Sequence, residues 1–115
     1  MTYKRQWRAL TVRQLRTRRA RLVRQLPDVD VTLRGALHPQ MRRCGKADCR
    51  CAEGELHGPY LYLSVRIGAR SRLLYVPAEA VENVTRRVET TGRIGAALAE
   101  ISAINLELLA RGELD

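Results

Sequence analysis

"PYLYLSVRIGARSRLLYVP", residues 59–77, decides the fold. Leu61, Leu63, Val65 and Ile67 alternate with Tyr60, Tyr62, Ser64 and Arg66, a period of two that predicts a half-buried strand. Gly68 opens a turn, and a second run returns to Val76. A loop of two or of four residues leaves the parity of pairing unchanged, so either one gives the same two faces. One carries Leu61, Leu63, Val65, Ile67, Leu74 and Val76, with Arg70 and Arg72 toward the tip. The other carries Tyr60, Tyr62, Arg66, Leu73 and Tyr75, which serve either as a contact surface or as a second packing face under a helix.

Immediately before the hairpin lies "RRCGKADCRCAEGELHGPY", residues 42–60, which holds all three cysteines of the chain. Structural zinc takes four sulfur or nitrogen ligands in a tetrahedron, and Cys44, Cys49, Cys51 and His57 offer three thiolates and an imidazole. The spacing, C-x4-C-x-C-x5-H, is not one of the common two-knuckle patterns. His38, six residues before Cys44, is the alternative fourth ligand. Zn2+ with three thiolates leaves one net negative charge, which Arg42, Arg43, Lys46 and Arg50 can offset while lowering the thiol pKa values. Glu53 and Glu55, the acids nearby, have nothing to orient them as a general base, so the expected zinc is structural and no catalysis is expected.

Upstream, "ALTVRQLRTRRARLVRQLP", residues 9–27, predicts a helix with its own start signal. Thr11 is the N-cap, Gln14 its capping-box partner, and Leu10 and Leu15 have staple spacing. Val12, Leu15, Leu22 and Leu26 form a narrow apolar stripe that also contains Arg19; Arg13, Arg16, Arg18, Arg21 and Arg24 spread over the remaining surface. Residues 2–9, with Trp7, either extend this helix or form a separate arm. In "PDVDVTLRGALHP", residues 27–39, the alternation of Val29, Val31 and Leu33 predicts a short strand.

After Pro77, Val81, Val84 and Val88 recur at helical spacing, and Ile94, Leu98, Ile101, Asn105 and Leu108 continue a seam toward Gly112. Gly92 and Gly95 weaken its middle, leaving one long helix or two. The seam needs a partner, and the stripe of the first helix is the nearest. The expected architecture is a single α+β domain: a basic helix within residues 1–26, a zinc knuckle and antiparallel β-hairpin in 29–76, and a helical segment in 77–112 packed antiparallel on the first helix. A homodimer through the C-terminal helix is the competing use of that seam.

A chain of 115 residues is one domain by length and buries about two thirds of its unfolded surface. With no Phe and one Trp, the core must be mainly aliphatic. The sequence predicts no membrane span and no secretory signal, so the expected compartment is cytoplasmic, where clustered thiols stay reduced and more often hold metal than pair. Charge is laid out unevenly. Residues 1–50 carry 14 Lys and Arg against 3 Asp and Glu, residues 51–115 carry 7 against 9, and the whole chain is +9.

Such a basic half is the footprint of a nucleic-acid partner, DNA ahead of RNA; the alternative is an acidic protein surface. Arg13, Arg16, Arg18, Arg21 and Arg24 would follow a phosphate backbone. Arg42, Arg43, Lys46, Arg50, Tyr60, Tyr62, Arg66, Arg70 and Arg72 would line the knuckle and hairpin contact. No paired carboxylates, Gly-rich phosphate loop or assembled Ser-His-Asp set points to an enzyme.

The run "RRCGKADCRCAEGELHGPYLYL", the Tyr-rich hairpin and the terminal "NLELLARG" resemble a family of small uncharacterised bacterial and archaeal proteins. These are associated with mobile genetic elements and share a CGK-x2-C-x-C and HGPY signature. The resemblance covers about residues 31–110, leaving the arginine-rich helix outside. It implies that Cys44, Gly45, Lys46, Cys49, Cys51, His57, Gly58, Pro59 and Tyr60 form a shared unit, and it implies no established activity. The expected role is a non-enzymatic, zinc-stabilised nucleic-acid-binding accessory protein of such an element or of a larger nucleoprotein complex. The alternative is an interaction or inhibitory subunit docking its basic helix on an acidic partner.

Overall fold

A computed structural model of the chain describes residues 6–43 and 45–115, the side chain of Cys51 excepted. The chain is α+β, in the order α1 (Val12–Arg24), β1 (Ala36–Arg42), β2 (His57–Ile67), β3 (Arg70–Val76) and α2 (Val81–Ala110). It divides into two compact units, one comprising the chain up to Val31 together with Gly92–Asp115, the other Thr32–Thr91.

The first unit is a helical hairpin. Thr11 caps α1 as its sequence predicts: Thr11 Oγ1 accepts from the Gln14 amide at 3.1 Å, and Gln14 Oε1 accepts from the Thr11 amide at 2.8 Å. Residues 6–8 are helical but separate from α1, with a bend at Leu10, so the expected basic helix of residues 1–26 narrows to Val12–Arg24. Trp7, Leu15, Ile104 and Leu108 make the buried core, with Leu10, Val12, Leu22 and Ala103 packed against it. The α1 stripe thus meets the C-terminal half of α2, antiparallel.

Carboxylates sort the arginines of α1. Arg18 donates through Nη2 (2.8 Å) and Nε (3.2 Å) to Glu100 Oε1, and Arg16 Nη2 donates to the Glu113 carbonyl at 2.9 Å. Arg19, inside the apolar stripe, reaches Asn105 Oδ1 at 2.7 Å and both Asp115 oxygens at 2.8 and 2.9 Å. Arg13, Arg21 and Arg24 are exposed and have no such partner among the described residues.

Arg111 closes the other end. Its guanidinium donates to the carbonyls of Leu10 (2.7 Å), Trp7 (3.1 Å) and Arg8 (3.2 Å) at the end of the helical residues that precede α1, where the Trp7 carbonyl also accepts from the Leu10 amide. Glu107 holds it from behind at 3.0 Å. Gly112, at φ 72°, then ends α2: its amide bonds the Leu109 carbonyl and the Glu113 amide the Leu108 carbonyl, the paired bonds of a Schellman motif.

The second unit is a three-stranded antiparallel sheet in the order β1-β2-β3 with the first turns of α2. Tyr62 pairs with Tyr75 and Leu63 with Leu74, and the two-residue turn of Gly68 and Ala69 joins Ile67 to Arg70. Both predicted faces are therefore present. Leu63 and Val76 are buried on the leucine face, and the Leu33 amide donates to Thr91 Oγ1 at 2.7 Å.

One sequence expectation needs correction, and one strand was missed. Val29–Val31 is a 3-10 turn, not a strand, with Val29 74% exposed. The third strand is Ala36–Arg42, whose alternation Pro39 disguises; an edge strand tolerates a residue without an amide hydrogen. The C-terminal segment is a single helix of 30 residues after a 3-10 turn at Ala78–Ala80, so Gly92 and Gly95 do not break it. No helix among the described residues is long and apolar enough to cross a membrane.

Arg111→Ala should lower stability by about 2–3 kcal/mol in urea titrations, because three carbonyls lose a charged donor at once; Arg111→Lys should recover only part. Arg19, hydrogen-bonded to Asp115, holds that carboxyl down to about 2 from its ordinary 3.8. A folded-state value below the unfolded one stabilises above the ordinary value, and the contribution fades as pH falls through the depressed one. Asp115→Asn should therefore flatten the stability profile between about pH 4 and pH 2 and leave neutral-pH unfolding nearly cooperative as before.

Candidate metal centre and nucleic-acid interface

The turn containing Cys49 is built from its own backbone. The Cys49 amide bonds the Lys46 carbonyl at 3.2 Å, and Cys49 then heads a single 3-10 turn, Arg50–Ala52. Arg43 Nη1 donates to the Ala52 carbonyl at 3.2 Å, tying that turn back to the end of β1.

Across from it, β2 begins at His57. Its ladder is regular from Ala36↔Ser64 to Gln40↔Tyr60, then slips, so that Arg42 pairs with His57. Two steps along β1 match three along β2, which places an extra residue on β2 at Gly58 and Pro59. Such a bulge resets the alternation of side chains. Strict alternation would send His57 to the leucine side with Leu61; the slip gives it Arg42 as its rung partner instead.

His57 Nε2 lies 3.1 Å from Cys49 Sγ. Two ligands of one tetrahedral zinc, with Zn–S near 2.3 Å and Zn–N near 2.0–2.1 Å, stand about 3.6 Å apart. Cys49 and His57 need separate by only about half an ångström to share an ion, and a thiolate with an imidazole is a zinc donor pair. Cys44 and the side chain of Cys51 lie outside the described residues, and no group of three donor side chains occurs among the described ones. His38, the alternative ligand, pairs with Tyr62 on β1, and its Nε2 is 2.8 Å from Ser64 Oγ.

The tyrosine face begins one rung from this turn. Tyr62 and Tyr75 rings meet edge-on, 5.7 Å between centroids, and Tyr60 lies 6.4 Å from Tyr75 at 58°. These are preferred aromatic geometries. The Arg42 guanidinium sits over Tyr60 at 4.7 Å and over Tyr62 at 5.5 Å. His38 and Gln40 extend the same face along β1, and Leu73, Ser71 and Arg66 extend it toward the hairpin tip. Tyr75 and Leu73 are 52% and 53% exposed.

The predicted cations therefore fall into separate groups. Arg42 and Arg66 share the tyrosine face; Arg70 and Arg72, rung partners of Ile67 and Val65, stand exposed on the leucine side near the tip. Arg43, Lys46 and Arg50 are exposed around the cysteine turn. Arg13, Arg16, Arg18, Arg21 and Arg24 belong to the helical hairpin. Sequence reading missed His38 and Gln40 as members of the tyrosine face; the alternation of His38, Gln40 and Arg42 with Leu37, Pro39 and Met41 is the signal that could have found them.

A family model described as Domain of unknown function (DUF6788) matches residues 12–86. Its span takes in α1, which the resemblance beginning near residue 31 leaves out, and ends in the first turns of α2. No curated protein and no solved structure matches the chain.

The bulge yields a sharp test. Gly58 has φ 127°, and a Cβ there would lie 2.8 Å from the Gln40 carbonyl oxygen and 3.0 Å from the Tyr60 nitrogen, both backbone atoms. Gly58→Ala should cost about 2 kcal/mol or more and detach Arg42 from His57. Thermal unfolding together with the Arg42 and His57 amide resonances would show this; a parent-like spectrum would contradict the bulge as described.

Proposed function

Because the chain belongs to the DUF6788 family, a domain of unknown function, we propose its role from its own residues: a non-enzymatic, zinc-stabilised nucleic-acid-binding accessory protein. The observation that carries this reading is Arg42 over Tyr60, beside a half-exposed Tyr75, in a chain of charge +9. Aromatic rings with an arginine at their margin suit bases, and exposed arginines suit phosphates. In this reading Cys44, Cys49, Cys51 and His57 hold Zn2+, and the ion fixes the turn that leads into β2. Arg13, Arg21 and Arg24 contact phosphate; Arg16 and Arg18 serve mainly the helical hairpin, since Glu113 and Glu100 already hold them.

The setting is proposed from the sequence motif and the clustered cysteines: the cytoplasm, and a mobile genetic element or a larger nucleoprotein complex, with DNA as the leading ligand. A second copy is the proposed occupant of the outer α2 stripe, where Leu98, Leu106 and Leu109 are each more than half exposed. One observation favours the alternative reading, docking of α1 on an acidic protein: every α1 arginine that has a side-chain partner here has found a carboxylate.

Native mass spectrometry of the purified chain should show one zinc per chain, removed by chelator with a loss of roughly 10 °C or more in Tm. Cys49→Ser should abolish both. A parent chain without metal, equally stable in chelator, would end the zinc half. For the binding half, replacing Arg13, Arg21 and Arg24 by Ala should reduce the slope of log affinity against log salt by about 2–3 without lowering Tm. An unchanged slope would redirect the role of α1 to protein partners.

A further inference from the structure

The nucleic-acid reading leaves open whether the ligand is a duplex read through its groove or a strand read through its bases. Resting on that reading, the geometry of the sheet separates the two. A duplex covers the faces of its bases with neighbouring bases and offers a protein only their edges, which guanidinium and amide groups read with paired hydrogen bonds. The side chains at the centre of this face are three phenol rings; the guanidinium and amide groups, Arg42, Gln40 and Arg66, come from its margins, and Arg42 sits over Tyr60 and Tyr62 as a ring partner. Nor is the hairpin a free two-stranded ribbon of the kind a major groove admits. β1 occupies the second edge of β2 over the same residues that carry Tyr60 and Tyr62.

Rings on an open sheet face are, by contrast, what unpaired bases stack on. Tyr62 and Tyr75 stand on directly opposed positions of β2 and β3, so their ring positions are fixed by the ladder rather than by a loop. Tyr60 is the diagonal neighbour. Arg42, a planar cation over Tyr60, marks the spot a base would take, and its guanidinium can shift to the outer face of that base or to the next phosphate. The opposite face differs away from the hairpin tip: Leu63 and Val76 are buried there, with Ile67 and Leu74 exposed nearer the tip, while Tyr75, beside Val76 on β3, is half exposed here.

We infer that the Tyr60, Tyr62 and Tyr75 face, with Arg42 at its edge, is a stacking platform for single-stranded nucleic acid. Base faces are common to DNA and RNA, so the platform selects unpaired bases of either sugar.

The test uses the whole chain and four probes of about 12 nucleotides: oligothymidylate, oligouridylate, an abasic deoxyribose strand with the same phosphates, and a blunt duplex. Binding is read by anisotropy at several salt concentrations. The thymidine or uridine strand should bind about 5- to 100-fold more tightly than the abasic strand, and more tightly than the duplex. The better of the two identifies the sugar. Tyr75→Ala should remove most of that gap with the salt slope unchanged, and Tyr75→Phe should keep it. Equal affinity for the thymidine, uridine and abasic strands, or a duplex bound at least as tightly, overturns the platform while leaving nucleic-acid binding intact. No binding to any probe at low salt overturns the parent reading itself. If Tyr75→Ala fails to fold, the abasic comparison on the unmodified chain decides alone.

Discussion

The second unit depends on one constraint, the register of β2. It is the central strand of three, and its residues 61–64 are paired on both edges, so none of these side chains can change face without breaking two ladders. A slip of one residue would expose Leu63 and bury Tyr62. Burial of Leu63 and Val76 therefore fixes the outward direction of the tyrosines as firmly as it fixes the core. The platform is a by-product of packing in this sense: the same alternation that builds the leucine face delivers the rings to the other side.

The helical hairpin shows a different logic, in which charge is divided by geometry. Six of the described basic residues precede Leu22, yet they do not behave alike: Arg16, Arg18 and Arg19 turn to carboxylates, Arg8 contributes a carbonyl, and Arg13 and Arg21 face solvent. Arg19 illustrates why. A guanidinium in an apolar stripe is costly unless its donors are used, and Asn105 and Asp115 use them. Net charge thus overstates the cationic surface offered to a ligand.

Much of this was legible in the sequence. The period-two run from Tyr60 to Ile67 specified the hairpin and both faces, because loops of two and of four residues share one parity; the choice of the two-residue turn came from the structure. Thr11 and Gln14 specified the start of α1, since a capping box is a local interaction that needs no tertiary context. β1 was hidden because Pro39 depresses local strand propensity, and only the free edge of β2 makes Ala36–Arg42 extended. Val29, Val31 and Leu33 misled for the converse reason: alternation without an edge to pair with is not a strand. The continuity of α2 was undecided because two glycines weaken a helix by amounts that packing elsewhere along 30 residues can offset. Arg111 gave no local signal, because its acceptors lie about a hundred residues away. At the candidate site, the cysteine spacing singled out His57, whereas the stacking of Arg42 on Tyr60 depends on β1, the strand that Pro39 hid.

That bulge joins what the sequence presents as two separate features. Arg42 is the rung partner of His57, beside the Cys49 turn, and at the same time the cation over Tyr60 and Tyr62. Had β1 and β2 stayed in regular register beyond Gln40, Arg42 would oppose Gly58, and no thiol-bound histidine would stand behind it. The extra residue on β2 brings the imidazole into line with the arginine, so whatever positions His57 also positions the edge of the tyrosine face. An ion held by Cys49 and His57 would act on the platform through a single ladder rung rather than through a long chain of contacts. The proximity of the HGPY turn to the first tyrosine is then a mechanical requirement of that proposal: with more residues between His57 and Tyr60, the Cys49 and His57 pair and the ring that Arg42 covers would no longer share a rung and its neighbour.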